Sequence, residues 1–457
     1  MITLQSIPKP NLEENLSPVM LTDETIIERK QRLLKKMEEA HYDTLFIYAD
    51  LEHGGNFEYL MGFVPRFEEA ILILHSDGSA YAVLGNENLN KANKARIEVT
   101  AVHMPHLSLP NQPMSTGETV AEILAKCELA NKENIGIIGW KNFTHTTDDV
   151  RTLFDIPHFL LEALKQASKK SHLTNATSIM IGAGGVRTTN NANEFAHYEF
   201  GSALAGKCML EAMDEIAVGK TEMNIAESLS AQGQPHNVVT IMASGKRFEK
   251  ANLYPTAKKV VLGDPISMTT GFKGGLESRV GYAVNQAKEL PEMQQDYLEK
   301  VAIPYFTAFK TWIEQAKIGM SGKDMYDLIN TVFPKNTYGW SLNPGHLCGD
   351  EEWLGSPIYP ESEEILQSGM LFQVDIIPSV NGYAGASCES GVFLADPQLR
   401  NEIQHTYPTI WQRILQRKSY LRDTLGIELS EEVLPMSAIT GYFRPFLLNK
   451  NTGLANK

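Results

Sequence analysis

Two stretches in the second half of the chain repeat one pattern of helix, glycine turn and helix. They are IAVGKTEMNIAESL at 216–229 and AKIGMSGKDMYDLI at 316–329. In each stretch a glycine suits the position just after a helix end, where a left-handed backbone is needed. Thr221 in the first copy and Ser321 in the second suit the N-cap of the helix that follows. The pattern therefore predicts two helix–turn–helix units built alike.

A segment typical of a β-hairpin follows each of these units. The segments are GDPISMTTGFKGG at 263–275 and SGMLFQVDIIPSVNGY at 368–383. A helix pair followed by antiparallel strands, found twice in the same order, indicates an α+β domain of two pseudo-symmetric halves. We expect a cleft where the two halves meet.

The first part of the chain has a different organisation. Residues 22–41 have helical apolar spacing, with an N-capping threonine and two acidic residues in the first turn. Short apolar strands follow, alternating with helical patterns. The strands are predicted at 44–49, 70–74, 80–84 and 135–139. Alternation of this kind predicts an α/β domain over residues 1–180, followed by the α+β domain over 181–457.

Composition narrows the possible partners and compartments. The chain has 457 residues, of which 43% are hydrophobic and 21% are charged, as is usual for globular proteins. No apolar run reaches the roughly 18 residues that span a bilayer, and the first residues lack the apolar core of a secretory signal. The net charge of -14 argues against nucleic acid. We expect a cytoplasmic protein with no membrane or nucleic-acid partner.

The four cysteines predict neither a zinc site nor a disulfide framework. They lie far apart in sequence and form no CxxC pair. Free cysteine behaves as a small hydrophobic residue, so buried thiols are expected.

The loop NPGHLCGDEEW at 343–353 concentrates ionisable residues. His346 stands between glycines, where backbone can approach a ligand closely. Three interpretations are open: one arm of a metal site, part of a metal-free catalytic pocket, or polar residues that cap each other. The acidic run of Asp350, Glu351 and Glu352 is interpreted as a solvated or capping face.

The 181–457 region resembles the pita-bread fold shared by creatinase, Xaa-Pro aminopeptidase, prolidase and methionine aminopeptidase. The resemblance is carried by motifs that occur in the family's order along the chain. They are the helix FAHYEFGSALAGKCMLEAMDEI, Gly219-Lys-Thr-Glu222, VVTIMASGKR, Gly263-Asp264, Gly345-His346, SGMLFQVDIIP and CESGVFL.

The N-terminal region is similar to the smaller domain that precedes the pita bread in creatinase and aminopeptidase P. YLMGFVPRFEEAILIL stands where those proteins have a Tyr-x-x-Gly-Phe strand pair. In the family this domain often closes the active site of a dimer partner. The resemblance therefore implies a homodimer, and it makes Arg66 and Phe67 candidates for substrate binding.

The resemblance also implies positions for the five ligands of two divalent metals. The two aspartate positions correspond to Thr269 and Val280 here, and neither residue is acidic. The other three correspond to His346, Asp375 and Glu389. Two hard cations need bridging carboxylates, so we expect no metal pair and no resident cofactor. A single divalent metal held weakly by the three remaining residues is the alternative. A histidine that family peptidases use for substrate corresponds to Trp353.

Creatinase implies what a metal-free member can do, because it hydrolyses a C–N bond with a histidine and carboxylates. By that resemblance His346, Asp375 and Glu389 are the catalytic candidates, as acid, base or cation-binding groups. Glu277 and Arg279 are candidates for substrate binding, with Arg279 suited to a substrate carboxylate. The creatinase histidine itself corresponds to Leu253 or Asn252.

The expected function is hydrolysis of a C–N bond, amide or amidine, in a small zwitterionic or peptide-like substrate, without the usual two metals. Three alternatives remain. The first is an atypical metal-dependent Xaa-Pro aminopeptidase or dipeptidase. The second is a non-catalytic pita-bread module that binds peptides or proteins. The third is a lyase that acts on a small substrate with the same histidine and carboxylates as acid and base.

Overall fold

The structure is a computed structural model that describes residues 1–145, 147–249 and 253–457. These described residues divide into two compact units. Leu21–Thr188 form the N-terminal unit, and Met1–Met20 together with Thr189–Lys457 form the C-terminal unit. The domain boundary predicted after residue 180 therefore differs from the observed division, most of all in the first twenty residues.

A long-range strand pair explains the placement of the first residues. Strand β1 (Ile2–Ser6) pairs antiparallel with the last strand of the chain, in the register Ile2↔Asn456. Further along the segment, Glu13 forms an ion pair of 2.5 Å with Arg417. Sequence patterns indicate local periodicity, so they cannot predict a strand pairing between the two ends of the chain.

The N-terminal unit is an α/β domain around a mixed sheet. Its sheet has the order β5-β4-β3-β2-β6-β7, with parallel pairs β4–β5, β2–β6 and β6–β7 and antiparallel pairs between the others. The strands are β2 (Thr44–Ala49), β3 (Ala70–His75), β4 (Ala80–Leu84), β5 (Thr100–His103), β6 (Asn134–Ile138) and β7 (His172–Asn175). The helices are α1 (Asp23–Glu39), α2 (Gly55–Met61), α3 (Val120–Ala125), α4 (His158–Ser168) and α5 (Ser178–Ile181).

The helix cap and the apolar strands predicted for this unit are present in the structure. The Thr22 side chain accepts a hydrogen bond from the Thr25 backbone N–H, which caps helix α1 as predicted. The apolar strand predictions at 44–49, 70–74, 80–84 and 135–139 correspond to β2, β3, β4 and β6. Strands β2 and β3 are buried along their whole length, as continuous apolar runs indicate.

The C-terminal unit consists of helices packed on a second sheet, whose main path is β11-β12-β13-β10-β9-β8. Strand β14 also pairs with β13. The strands of this sheet are β8 (Ile241–Ser244), β9 (Pro265–Phe272), β10 (Gly275–Tyr282), β11 (His346–Leu347), β12 (Leu371–Val374), β13 (Ser387–Leu394) and β14 (Val433–Pro435). Strand β15 (Thr452–Asn456) is the one that pairs with β1. The helices are α6 (Ala192–Glu215), α7 (Glu222–Ala226), α8 (Ile303–Gln315), α9 (Gly322–Val332), α10 (Lys335–Tyr338), α11 (Pro397–Thr406) and α12 (Pro408–Tyr420).

The predicted repeat is confirmed in atomic detail. Gly219 and Gly319 follow helices α6 and α8 with φ values of 87° and 89°. Thr221 accepts a hydrogen bond from Asn224 N–H, and Ser321 accepts one from the N–H of the equivalent Asp324. The two turns place β8, β9 and β10 in one half of the sheet and β11, β12 and β13 in the other.

In the described part of the chain, no helix combines the length and apolar character needed to cross a bilayer.

Candidate active site

Strand register brings the predicted catalytic residues to one face of the C-terminal sheet. Ser278 on β10 pairs with Glu389 on β13 and also with Thr269 on β9. On the other side of β13, Val374 pairs with Ser390, so Asp375 follows beside Glu389. Directly paired residues share a face. We call this surface the acid face, comprising Thr269, Ser278, Val280, His346, Asp375 and Glu389.

The loop before β11 fixes the direction of His346. Gly345 has φ +128°, a conformation that L side chains rarely adopt, and a Cβ there would lie 3.2 Å from the Gln373 carbonyl oxygen. Trp312 donates from Nε1 to the Pro344 carbonyl at 2.7 Å, and Ser356 donates to the Gly345 carbonyl at 2.7 Å. The glycine noticed in the sequence is therefore required by backbone geometry.

His346 is buried and makes three contacts that define its state. Its Nδ1 lies 3.2 Å from the Leu347 carbonyl oxygen, and its Nε2 lies 3.9 Å from Asp375 Oδ2. The Trp353 ring stacks on the imidazole, with 4.1 Å between centroids. Burial lowers the pKa of His346 below its ordinary value, and this effect outweighs the opposing attraction of Asp375. The imidazole is therefore neutral at pH 7, with Nδ1 donating to Leu347.

Glu389 and Asp375 behave as one acid pair. Burial raises the pKa of Glu389 well above its ordinary value, and the neighbouring charge and hydrogen bond of Asp375 raise it further. A neighbouring carboxyl and a buried environment both disfavour the charged form of Glu389. Asp375 Oδ1 is buried and has no hydrogen-bonding partner among the described residues.

Glu352 joins this pair, contrary to the interpretation of its loop as a solvated or capping face. Burial raises the pKa of Glu352 to about 7, with a further contribution from the charge of Asp375. Asp350 is buried too, and it accepts a hydrogen bond from the Tyr198 hydroxyl at 3.3 Å. The burial of these acidic residues was not predicted. The one sequence signal for it is that the run adjoins Trp353, which corresponds to a substrate-binding position in the family.

Glu277 and Arg279 lie on the reverse face of the sheet and not with the acid face. They form a buried ion pair at 3.0 Å. The N–H groups of Arg279 also donate to four backbone carbonyls and a serine hydroxyl, of Ser278, Glu389, Ile439, Tyr442 and Ser390. Two serine hydroxyls, of Ser390 and Ser437, donate to Glu277. This arrangement favours a structural role over the predicted contact with a substrate.

Arg66 and Phe67 belong to the N-terminal unit. The Arg66 guanidinium carbon lies 5.5 Å from the centroid of the Phe67 ring. Phe67 is exposed and has φ 70°. The following residue, Glu68, is buried and accepts hydrogen bonds from Glu87 and Asn88, which anchors the turn. A role for Arg66 and Phe67 in substrate binding stays a prediction. Asn252 lies outside the described residues.

The donor set does not fit the metal pair of the family. At the two aspartate positions, Thr269 offers a hydroxyl that donates to Ser278 at 3.3 Å, and Val280 offers no ligand atom. Opposite them, Asp375 and Glu389 provide the two carboxyls of the set, and two hard cations need more bridging carboxylates than these. Among the described residues, no group of three or more histidine, cysteine, aspartate or glutamate side chains has the geometry to hold a metal ion.

The cysteines are free and buried, as expected. Burial raises the pKa of the Cys348 and Cys388 thiols, which lie closest to the acid face in sequence. A thiol with a raised pKa is a weak nucleophile.

Comparison with known proteins places this geometry in context. Residues 197–400 match the model of metallopeptidase family M24. An Xaa-Pro dipeptidase from Pyrococcus horikoshii is 23% identical over 241 residues. That match covers 50% of this chain and 66% of the relative, just under two thirds of its length.

Solved structures share the fold across most of the chain. The prolidase from Pyrococcus horikoshii OT3 superposes with a TM-score of 0.62 at 17% identity, covering 80% of this chain and 95% of that one. An Xaa-Pro dipeptidase from Bacillus anthracis has a TM-score of 0.62 at 15% identity, with coverages of 82% and 96%. The X-Pro aminopeptidase from Thermotoga maritima MSB8 has 0.60 at 17% identity, with coverages of 80% and 95%.

Proposed function

Because the chain belongs to the pita-bread family of creatinase, Xaa-Pro aminopeptidase and prolidase, we propose that it hydrolyses a C–N bond without the family's metal pair. The substrate is a small zwitterionic or peptide-like amide or amidine. One observation carries the proposal: His346 lies 3.9 Å from Asp375 on the face that also presents Glu389, where burial lowers the pKa of the imidazole and raises the pKa of the Glu389 carboxyl. A base and an acid held together are the minimum that such a hydrolysis needs.

His346 suits the role of general base. With Nδ1 donating to the Leu347 carbonyl, Nε2 keeps a lone pair directed toward Asp375. The 3.9 Å between Nε2 and Asp375 Oδ2 is too long for a direct hydrogen bond and fits a water that contacts both atoms. In the proposed step this water gives a proton to Nε2 while its oxygen attacks the carbon of the scissile bond.

Glu389 suits the role of general acid, because its raised pKa keeps a proton on the carboxyl at pH 7. When the C–N bond breaks, the leaving nitrogen takes this proton. Water thus supplies the oxygen of one product, and Glu389 supplies a proton to the other. Proton return from His346 to the acid pair restores the starting state.

The first experiment measures metal content and turnover on the same preparation. Protein purified without chelator is analysed by inductively coupled plasma mass spectrometry, before and after manganese is added. It is then assayed with Xaa-Pro dipeptides, small zwitterionic amides and amidines. We expect less than one equivalent of metal and turnover that survives a chelator. Two equivalents of metal, with chelator-sensitive cleavage of an Xaa-Pro dipeptide, would return the protein to the metallopeptidases.

A matched pair of substitutions separates chemistry from folding. Glu389→Gln removes the acidic proton, and we expect a loss in kcat of about 10²- to 10⁴-fold. Glu222→Gln makes the same change at a buried carboxylate that accepts a hydrogen bond from Ser244 on β8, and β8 lies three strands from β13, which carries Glu389. We expect Glu222→Gln to lower stability and retain turnover. Equal activity losses in both variants would sink the catalytic role of Glu389.

One observation favours the alternative of a non-catalytic binding module. Trp353 stacks directly on His346, which is 1% exposed. This ring restricts the access of a substrate to the imidazole. Binding of the same compounds without turnover, at any chelator or metal concentration, would select this alternative. The homodimer and the cytoplasmic location stay predictions, which sedimentation and fractionation would test.

A further inference from the structure

The side chains on the two faces of strand β10 differ in their solvent exposure. On the reverse face, Glu277 is 0% exposed and Arg279 is 1% exposed. On the acid face, Ser278 is 7% exposed, Thr269 on the neighbouring strand is 8% exposed, and Val280 is half-buried. The reverse face is closed core. The acid face keeps small accessible areas on several adjacent polar side chains, as a ligand-binding surface requires.

The two hydroxyls on the acid face form a directed chain. Thr269 Oγ1 donates to Ser278 Oγ at 3.3 Å. Beyond Thr269, the Ser278 hydroxyl has no hydrogen-bonding partner within the described ranges of the chain. Its own proton is therefore available, and Thr269 leaves it mainly the role of donor. Ser278 stands directly opposite Glu389 in the register of β10 and β13.

A second polar group on the same face also points to a ligand. Asp375 is 8% exposed, and its Oδ1 has no partner among the described side chains and backbone groups. An unpaired buried carboxylate oxygen costs free energy unless a donor or a positive charge reaches it. The acid face therefore offers a hydrogen-bond donor at Ser278 and an acceptor at Asp375, on either side of Glu389.

We propose that Ser278 donates a hydrogen bond to the carbonyl oxygen of the substrate, that Thr269 is a positioning residue acting through Ser278, and that the substrate is a small amide whose ammonium group faces Asp375. This inference rests on the proposed function and makes its substrate class narrower. An amide oxygen accepts a hydrogen bond, whereas the amidinium nitrogens of the other class carry only donors. Ser278 thus favours the amide of the two classes.

Two probes that differ at the carbonyl test the assignment. Glycinamide carries an ammonium group and an amide oxygen, and ethylenediamine has a methylene group in place of the carbonyl. Both are titrated against the full chain by calorimetry. We expect Ser278→Ala to weaken glycinamide binding about 3- to 10-fold, the usual effect of one neutral hydrogen bond, and to leave ethylenediamine binding unchanged.

Conservative variants test the positioning role. Thr269→Val removes the donor to Ser278, and we expect glycinamide binding to weaken about 2- to 3-fold, while Thr269→Ser keeps wild-type affinity. Thr270→Ser is the control, because Thr270 pairs with Glu277 on the reverse face and its hydroxyl donates to Leu229. We expect it to change neither probe.

The failure of this inference is distinct from the failure of the proposed function. Equal losses for both probes, no effect of Ser278→Ala, or a wild-type protein that binds neither probe at millimolar concentration would each overturn the inference. Turnover of an amidine that is insensitive to Ser278→Ala would overturn the inference and leave the hydrolase standing. Selective glycinamide binding without turnover of any compound would support the inference and sink the hydrolase.

Discussion

The two halves of the C-terminal unit share a backbone plan and differ in charge. Both halves turn through a glycine with φ near 90° into a helix capped by a hydroxyl side chain. The first half presents Thr269 and Val280 to the acid face, and the second presents His346, Asp375 and Glu389. Caps, glycine turns and apolar packing therefore stabilise this fold without acidic residues at positions 269 and 280.

Two buried glutamates show how each half treats a carboxyl. In the first half, burial raises the pKa of Glu222, but hydrogen bonds from Thr256 and Ser244 outweigh burial and lower the pKa overall. In the second half, burial and Asp375 both raise the pKa of Glu389. Donors around a carboxyl keep it charged, and a second acid keeps it protonated. The first carboxyl is thus structural and the second is suited to chemistry.

Acidic residues at positions 269 and 280 would remove the main chemical difference between the two halves, and we expect them to have the largest effect. Thr269→Asp combined with Val280→Asp adds two carboxyls next to the acid pair. Without metal we expect a loss in the free energy of unfolding of about 3–5 kcal/mol, because unpaired charges are buried together. We expect manganese to recover much of this loss, since the family ligand set is then nearly complete.

The control for this variant is Thr269→Asn with Val280→Asn, which has similar shape and no charge. Thermal unfolding with and without manganese compares the two. The prediction fails if the two double variants are equally stable and manganese changes neither. That result would show that positions 269 and 280 do not lie close to the acid pair.

Glu222→Gln tests whether the buried carboxyl of the first half is charged, in contrast to Glu389 in the second half. The carboxylate accepts bonds from Ser244, Thr256 and Arg247, and the glutamine NH₂ would meet some of these donors. We expect a loss of about 2–3 kcal/mol at pH 7, measured by urea unfolding.

The pH dependence of this loss follows from the lowered pKa. The stabilisation by Glu222 is fully present above the unfolded value of 4.5 and fades as pH falls through the lower folded pKa. The difference between wild type and Glu222→Gln should therefore shrink below pH 4.5. The nearby exposed Glu227→Gln is the control, and a difference that stays constant with pH would contradict the assignment of charge.

The smallest effect is expected at Trp353, which is 44% exposed over His346. We expect Trp353→Ala to cost about 1 kcal/mol and to raise the pKa of His346 toward its ordinary value of 6.5, because burial is what lowers it. Histidine proton resonances followed against pH measure this shift.

A second stacked pair supplies the control for this prediction. Trp140 in the N-terminal unit is 43% exposed and stacks on His53 at 4.5 Å. Trp140→Ala should leave the His346 resonance unchanged. A His346 pKa that does not move in Trp353→Ala would show that the ring contributes nothing to the burial of the imidazole.

Much of the acid face was predictable from local signals. His346 lies between glycines. Strand β12, which ends just before Asp375, and strand β13, which carries Glu389, have apolar patterns beside recognisable motifs. The orientation of Arg279 was predictable too. Val280 occupies a ligand position, and neighbouring strand residues point to opposite faces, so Arg279 must point away from it. The prediction that Arg279 contacts a substrate relied on its closeness in sequence to the metal position at Val280, and that closeness was misleading.

The repeat, the α/β and α+β organisation of the two regions, and the non-acidic character of the two metal positions follow from the sequence alone. These features depend on local periodicity, capping chemistry and residue identity. The three-dimensional structure was needed to show that residues 1–20 join the C-terminal unit, that Glu352 lies near the acid pair, and that Trp353 stacks on His346. These features depend on contacts between distant segments and on the desolvation that such contacts cause, and the chain does not encode either in any local pattern.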